Sequence, residues 1–371
     1  MRSKAWPKIL VVNVDVSGLL RAITLAPGVS GWEDPVREEI ERAFKELASD
    51  AALEVDDLGN LYVKVGERPR VALIAHMDEI GFAVKSITEG GLIYLEPVGG
   101  WDDRVLLGER VVIYGSGEEL EGLSWRDRAV VGVVGSKPIH YLRPEERDKV
   151  PKIQDVFVDL GLSSRSEVEK LVRIGDLGHL HKDFTPIPRS GSSTVASRGF
   201  DDRAGCTAVM MASKILAELG LEHYAVFTVQ EEVGARGATV AGYKLHQEGV
   251  KLAVAIDVAH AGGYPGLEEK ECPIKLGQGA VISRGPPIPP SLSATFEEGA
   301  KEAGAPYQLG PEAGKTRTDL DVLQLARTGL KSMLISIPLK YMHTTVEVVD
   351  LRDVESAAKV MAYGVKKALR G

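Results

Sequence analysis

Four apolar segments of this sequence each run into a histidine or a carboxylate, and that recurrence constrains the fold more than any other feature. VALIA (71–75) leads to His76 and Asp78, and YAVFTVQ (224–230) to Glu231 and Glu232. LAVAI (252–256) leads to Asp257, and LISIPLKYM (334–342) to His343. Apolar runs of this length read as buried strands. Helical patterns alternate with them, over 201–219, 236–248 and a final stretch from Asp353 to Leu369 that turns Val354, Ala357, Val360, Met361 and Val365 inward. Such alternation predicts an α/β fold, a mixed and mostly parallel sheet flanked by helices. In open sheets of this kind the ligand crevice lies beyond the C-terminal strand ends, so the four strands would deliver their polar residues to one place. Asp201, at the start of a glycine-flanked helix, adds a fifth contribution.

The N-terminal part opens with a helix over Asp34–Leu47, with Pro35 in its first turn and Val36, Ile40, Phe44 and Leu47 on one face. Strands follow at Leu61–Val65 and Val71–Ala75. After Gly81 the character changes, with short β-like pieces at Phe82–Ile87, Leu92–Leu95, Arg110–Tyr114, Ala129–Val134 and Val156–Leu160. Regular short strands with glycine-rich turns predict a small β-barrel or sandwich inserted into the α/β frame. A chain of 371 residues is longer than one core usually absorbs, which fits two domains. We set the boundaries at 1–81 with 182–371 for the α/β domain and 82–181 for the insertion. The stretch GPPIPP (285–290) reads as a rigid loop.

Composition excludes several classes of function. A net charge of −8 argues against nucleic acid or anionic lipid as a partner. Cys206 and Cys272 are too few for a disulfide framework, and the compartment reads as reducing, hence cytoplasmic. The basic start and short apolar run of the first residues superficially resemble a signal peptide, but Asn13 and Asp15 interrupt them and no small-residue cleavage site follows. No uninterrupted apolar run is long enough to span a membrane.

Burying Asp201, Glu232 and Asp257 together without cations would be prohibitively costly, so their convergence with His76 and His343 implies metal. Two imidazoles and three carboxylates suit zinc, cobalt or manganese better than calcium. Five ligands are too many for one open tetrahedral zinc, but suit two ions about 3.5–4 Å apart with a bridging carboxylate. Glu231, beside Glu232, is the candidate general base, and Asp78 the group that orients His76. Other Glu-Glu pairs read as solvated surface. His140, His179, His181, His223 and His246 lack a strand-end setting and read as structural or exposed. His260 is either a support to Asp257 or an ordinary loop histidine, and Asp202 and Arg203 read as a local ion pair or cap.

Taken together these stretches resemble the M42 family of metallo-aminopeptidases, which includes the self-assembling tetrahedral TET enzymes. The resemblance rests on AHMDEIGF (75–82), GFDDRAG (199–205), VQEEVGARGA (229–238), AIDVAHAG (255–262) and YMHTTVEVV (341–349), supported by GSKPIH, RGPPI and TDLDVLQLARTG. It implies a zinc-peptidase-like fold. One metal would be held by His76, Asp201 and Asp257, and a second by Asp201, Glu232 and His343, with Asp201 bridging. It further implies Glu231 as acid/base, peptides with a free N-terminus as substrates, a dimerising insertion, and dimers joined in a hollow tetrahedral dodecamer. Two places depart from the family pattern. His343-Thr344-Thr345 stands where His-Ser-Pro is usual, and Arg317-Thr318-Asp319 where Gly-Thr-Asp is usual. Rival readings are another two-metal hydrolase of the deacylase or carboxypeptidase kind, a glycosidase built on paired carboxylates, and a non-catalytic metal-binding protein.

Overall fold

The computed structural model describes residues 15–47, 51–187 and 193–370. Most of the N-terminal run discussed above therefore lies outside the described residues. Helix α1 (Val16–Leu25) starts at Asp15, whose side chain accepts a hydrogen bond from the Gly18 N–H. Helix α2 (Asp34–Leu47) buries Val36, Ile40 and Phe44 at the spacing the sequence showed. Strands β1 (Ala52–Val55), β2 (Leu61–Val65) and β3 (Val71–His76) follow.

The chain then enters a closed barrel made of β4 (Gly81–Ile87), β5 (Ile93–Val98), β6 (Arg110–Tyr114), β7 (Ala129–Gly135), β8 (Phe157–Asp159) and β9 (Leu177–Leu180), with the short helix α3 (Arg165–Val168) before its last strand. The strand order is β4-β5-β8-β7-β6-β9, all antiparallel. Phe82, Val84, Leu95, Val111, Ile113, Val158 and Leu180 fill a core of its own, apart from the main one. β9 was not evident in the sequence because Gly178 and His179 break its apolar run. The glycine is needed there, since a Cβ on Gly178 would come within 2.5 Å of the Val112 carbonyl oxygen.

Beyond the barrel come β10 (Thr185–Pro186), β11 (Thr194–Ser197) and α4 (Phe200–Glu218), then β12 (His223–Thr228), α5 (Arg236–Gln247) and β13 (Leu252–His260). The rest is β14 (Ala280–Arg284), α6 (Pro290–Ala303), β15 (Tyr307–Pro311), α7 (Leu320–Leu323), β16 (Lys331–Leu339), β17 (Glu347–Asp350) and α8 (Leu351–Ala368). Eight strands form the main sheet in the order β1-β2-β12-β3-β13-β16-β14-β15. β12, β3, β13 and β16 are parallel neighbours, as are β14 and β15, while β1 with β2, β2 with β12 and β14 with β16 are antiparallel. This is the mixed, mostly parallel sheet the alternation predicted. Helices α4 and α8 lie against it, with α6 packed on α8 and with α1 and α2 on α4. β11 pairs with β17 in a separate three-stranded sheet beside the strand ends.

One ionic cluster joins barrel and sheet. Glu79 lies between β3 and β4, buried, with Arg198 at 2.7 Å and Lys182, just past β9, at 2.8 Å. Lys182 also donates to the Thr24 and Ala26 carbonyls, and Arg203 to that of Ile23. Arg203 therefore does not pair with Asp202. The Asp202 carboxylate instead accepts the Gly205 N–H inside α4, as a local cap.

Candidate metal centre

β3, β12 and β16 bring their polar residues to one edge, as the strand-end pattern required. His76 is the last residue of β3, Glu231 and Glu232 follow β12, and His343 lies just past β16. Asp257 differs from expectation, because β13 does not end before it but runs on to His260. Its pairing with β3 stops at Ala255, while its pairing with β16 continues through Asp257 opposite Ser336. Asp257 therefore lies two residues past the last β13–β3 pair, level with His76 at the end of β3. Asp201 comes from the first turn of α4.

Two groups of potential ligand atoms result, His76 with Asp201 and Asp257, and Asp201 with Glu232 and His343. Within each group the atoms lie no more than 4.8 Å apart. His76 Nε2 is 3.2 Å from Asp201 Oδ1, and His343 Nε2 is 3.3 Å from Asp201 Oδ2 and 3.4 Å from Glu232 Oε1. All five expected ligands thus meet, and Asp201 belongs to both groups.

So many ionisable groups share this space only by taking up positive charge. Burial opposes the Asp201 carboxylate, yet hydrogen bonds from His343 and His76 outweigh it and hold the group well below the usual carboxylate range. Burial, then the Asp201 charge, pushes Asp257 well up. Burial likewise raises Glu232, and pushes Glu231 up to about 10 against the pull of His76. Burial works against a charged His343, but Asp201 and Glu232 carry it up to about 11. Imidazoles held as cations beside paired carboxylates mark a site where divalent cations can replace protons, and the oxygen and nitrogen donors match borderline metals. The donor set fits such ions.

Asp78, expected to orient His76, is fully buried and brings its Oδ1 to 3.4 Å from the His76 Nδ1. It does more than that, accepting the N–H of Glu231 at 2.9 Å, the N–H of Glu232 at 3.2 Å and the Ser30 hydroxyl at 2.6 Å. Several neighbours were missed at the sequence level. Glu33 accepts the N–H of Gly31 and of Gln230, beside Glu231. Buried Asp319 accepts the Thr228 hydroxyl at 2.5 Å. Glu347 accepts the N–H of Phe200, beside Asp201, and the N–H of His343 itself. Asp319 and Glu347 fall in stretches quoted above, but nothing local marks the contacts of any of the three, because their partners are backbone groups or lie far away in sequence. His179 and His223 are buried structural histidines, the first near Tyr114 and the second near Ser213.

Asp201, Glu232, Asp257, His343 and Glu231 border a cleft of about 600 Å³, continued by His260, Glu312, Lys315 and Arg317; His76, 2% exposed, is not among its lining residues. That volume suits a small substrate or the end of a larger one. Arg317 takes a left-handed φ of +60°, the conformation that the glycine usual at this place adopts freely.

An α/β sheet with an inserted barrel and a histidine–carboxylate cleft at its strand ends defines a metallopeptidase-type enzyme. The family model for peptidase M42, described as M42 glutamyl aminopeptidase, matches residues 59–360. The chain belongs to this family, and is accordingly a metallo-aminopeptidase. Among its relatives, a lysyl aminopeptidase of Pyrococcus furiosus is 35% identical over 347 residues, 92% of this chain and 94% of the relative. The TET aminopeptidase of Thaumarchaeota archaeon SCGC AB-539-E09 superposes with a TM-score of 0.84 at 31% identity, covering 95% of this chain and 96% of that one. The Pyrococcus horikoshii TET1 peptidase, described as assembling into a tetrahedron or a large octahedral shell, gives 0.79 at 32% identity and covers 94% and 98%.

Proposed function

We propose that this chain removes N-terminal residues from peptides with two divalent metals and a Glu-activated water. The observation that carries this reading is the meeting of two ligand groups at Asp201, with Glu231 beside them. His76, Asp201 and Asp257 would hold one ion, and Asp201, Glu232 and His343 the other, with zinc or cobalt the best match and manganese acceptable. When bound, such a pair lowers the pKa of a water and polarises a carbonyl oxygen. Glu231 takes the proton of the attacking water on its carboxylate and returns it to the departing amine. Asp78 holds the Glu231 backbone and the His76 ring in fixed relation while that proton moves.

The segments 1–81 and 182–371 would form the catalytic domain, and 82–181 a dimerisation domain, with dimers joined in a tetrahedral dodecamer. The exposed apolar side chains of Val131, Val133, Ile139 and Tyr141 on the barrel side support that role. No helix among the described residues is long and apolar enough to cross a membrane. Two free cysteines accord with a cytoplasmic setting.

The test is hydrolysis of free and N-acetylated aminoacyl-p-nitroanilides, with and without EDTA followed by zinc or cobalt. Cleavage restricted to free amines, lost with chelator and restored by metal, is the expected result. Metal-dependent cleavage of blocked substrates would move the enzyme to the deacylases, and chelator-resistant activity would end the metal assignment.

A further inference from the structure

Glu347 has no place in the chemistry above, yet it touches the backbone on both sides of one ligand group. It stands at the start of β17, is 2% exposed, and faces the first turn of α4 and the loop after β16. Its Oε2 accepts the N–H of Phe200 at 2.7 Å and of Asp201 at 3.3 Å. Its Oε1 accepts the N–H of His343 at 3.0 Å. A carboxylate is acceptor-only, with room for several donors, so one side chain can hold both segments at once.

The bland alternative is helix capping. Gly199 offers no side-chain cap to α4, and the Phe200 N–H needs an acceptor. Capping does not account for the second oxygen. His343 is not helical, and its φ of +59° lies in the left-handed region, as does Tyr341 at +60°. Side chains other than glycine keep that conformation only where their surroundings enforce it. For His343 the enforcing contact on the backbone N–H is Glu347.

We propose that Glu347 is a positioning residue of the metal centre. Its two oxygens fix the separation of Asp201 and His343, and thereby how tightly the group of Asp201, Glu232 and His343 takes a divalent cation. The inference rests on the ligand assignment proposed above. Asp78 does the corresponding work across the site, where it spans His76 and the Glu231–Glu232 backbone. The two halves of the centre are thus each referenced to one buried carboxylate, and the two carboxylates share no partner.

Glu347→Gln separates capping from positioning. The amide keeps one acceptor oxygen and turns an NH2 toward a donor, so it can serve α4 or His343 but not both. The metal-stripped full chain is titrated with cobalt against a competing chelator, following the visible cobalt absorption, for wild type, Glu347→Gln and Glu347→Asp. We expect one of the two cobalt ions to bind about 10–100-fold more weakly in Glu347→Gln while the other changes by less than about threefold. The thermal midpoint of the cation-free protein should stay close to wild type. Peptidase activity should return when cobalt is raised by the same factor. Glu347→Asp keeps the charge on a shorter arm and should weaken the same ion.

Unchanged affinities in both variants, equal weakening of both ions, or activity loss without a shift in the cobalt curve would each overturn the proposal. So would loss of folding in both variants, which would make Glu347 a structural residue. The proposed function fails separately. Wild type that binds two cobalt ions but cleaves no free-amine substrate ends the peptidase mechanism and leaves the titration to judge Glu347. Wild type that binds none ends the ligand assignment and this inference with it.

Discussion

The barrel and the α/β sheet solve opposite problems with the same chain. Among the described barrel strands the buried side chains are apolar except His179 and Tyr114, which bond each other. At the open edge of the sheet, by contrast, the buried residues are His76, Asp78, Asp201, Asp257, Asp319 and Glu347. The barrel gains from burial in the ordinary way. The sheet edge gives up stability, since each of those groups must be matched by hydrogen bonds or cations. Polar residues that converge where a fold would do better with leucine identify the working part of the molecule.

The sharpest way to break this contrast is Asp201→Ala. It should release both metals and cost more activity than the roughly 10⁴-fold upper range of acid–base loss, as measured by metal analysis and kinetics. Retention of two ions per chain would remove Asp201 from its shared position. Glu231→Gln comes next, and should keep its metal content while kcat falls by about 10²–10⁴-fold. Near-normal turnover there would mean that another group carries the proton.

The joint between the two regions offers a stability test. Removing one partner from a buried ion cluster costs about 3–5 kcal/mol, so Glu79→Gln should lower the urea midpoint clearly. The Glu79 carboxyl is disfavoured by burial, but Arg198 first and then Lys182 and Arg203 outweigh this and hold it below its ordinary 4.5. Its contribution is therefore complete above that value and drains away as the pH falls further. The gap between wild type and Glu79→Gln should narrow on acidification, and a constant gap would show that charge is not what Glu79 supplies. The smallest effect on the fold belongs to the barrel surface. Val131→Glu with Val133→Glu, at positions 55% and 51% exposed, should change stability by no more than about 0.5 kcal/mol yet reduce particle size in sedimentation. An unchanged particle would leave the barrel without its proposed role.

Much of this was legible in the sequence, for identifiable reasons. β6 and the long helices α4, α5 and α8 were evident because their periodicity is unbroken. The five expected ligands and Glu231 could be singled out because each follows an apolar strand or opens a helix, and the fold brings the five into two adjoining groups. Asp257 was read as lying past its strand, since hydropathy cannot register that β13 outlasts its pairing with β3. α6 went unread because PSLSATFEEGAKEA carries few large apolar residues, only Leu292 and Phe296 among its buried ones being bulky. The contacts of Glu33, Asp319 and Glu347 were illegible for a different reason, because what they bind is defined only after the chain has folded.

The route of the chain through the barrel also sets an order in time. Ala72 of β3 pairs with Tyr224 of β12, so the central sheet cannot zip until everything between them has been drawn into a loop. Within that loop, β4 with β5 and β6 with β7 are neighbours in sequence and can pair early. Local pairings form quickly and distant ones wait for loop closure. By bringing β4 and β9 side by side, the closed barrel returns the two ends of the insertion to each other and shortens the search left to β3 and β12. A nascent chain can thus complete its barrel before it builds its chemistry, and no cleft able to cut peptides exists until the last distant strands have met.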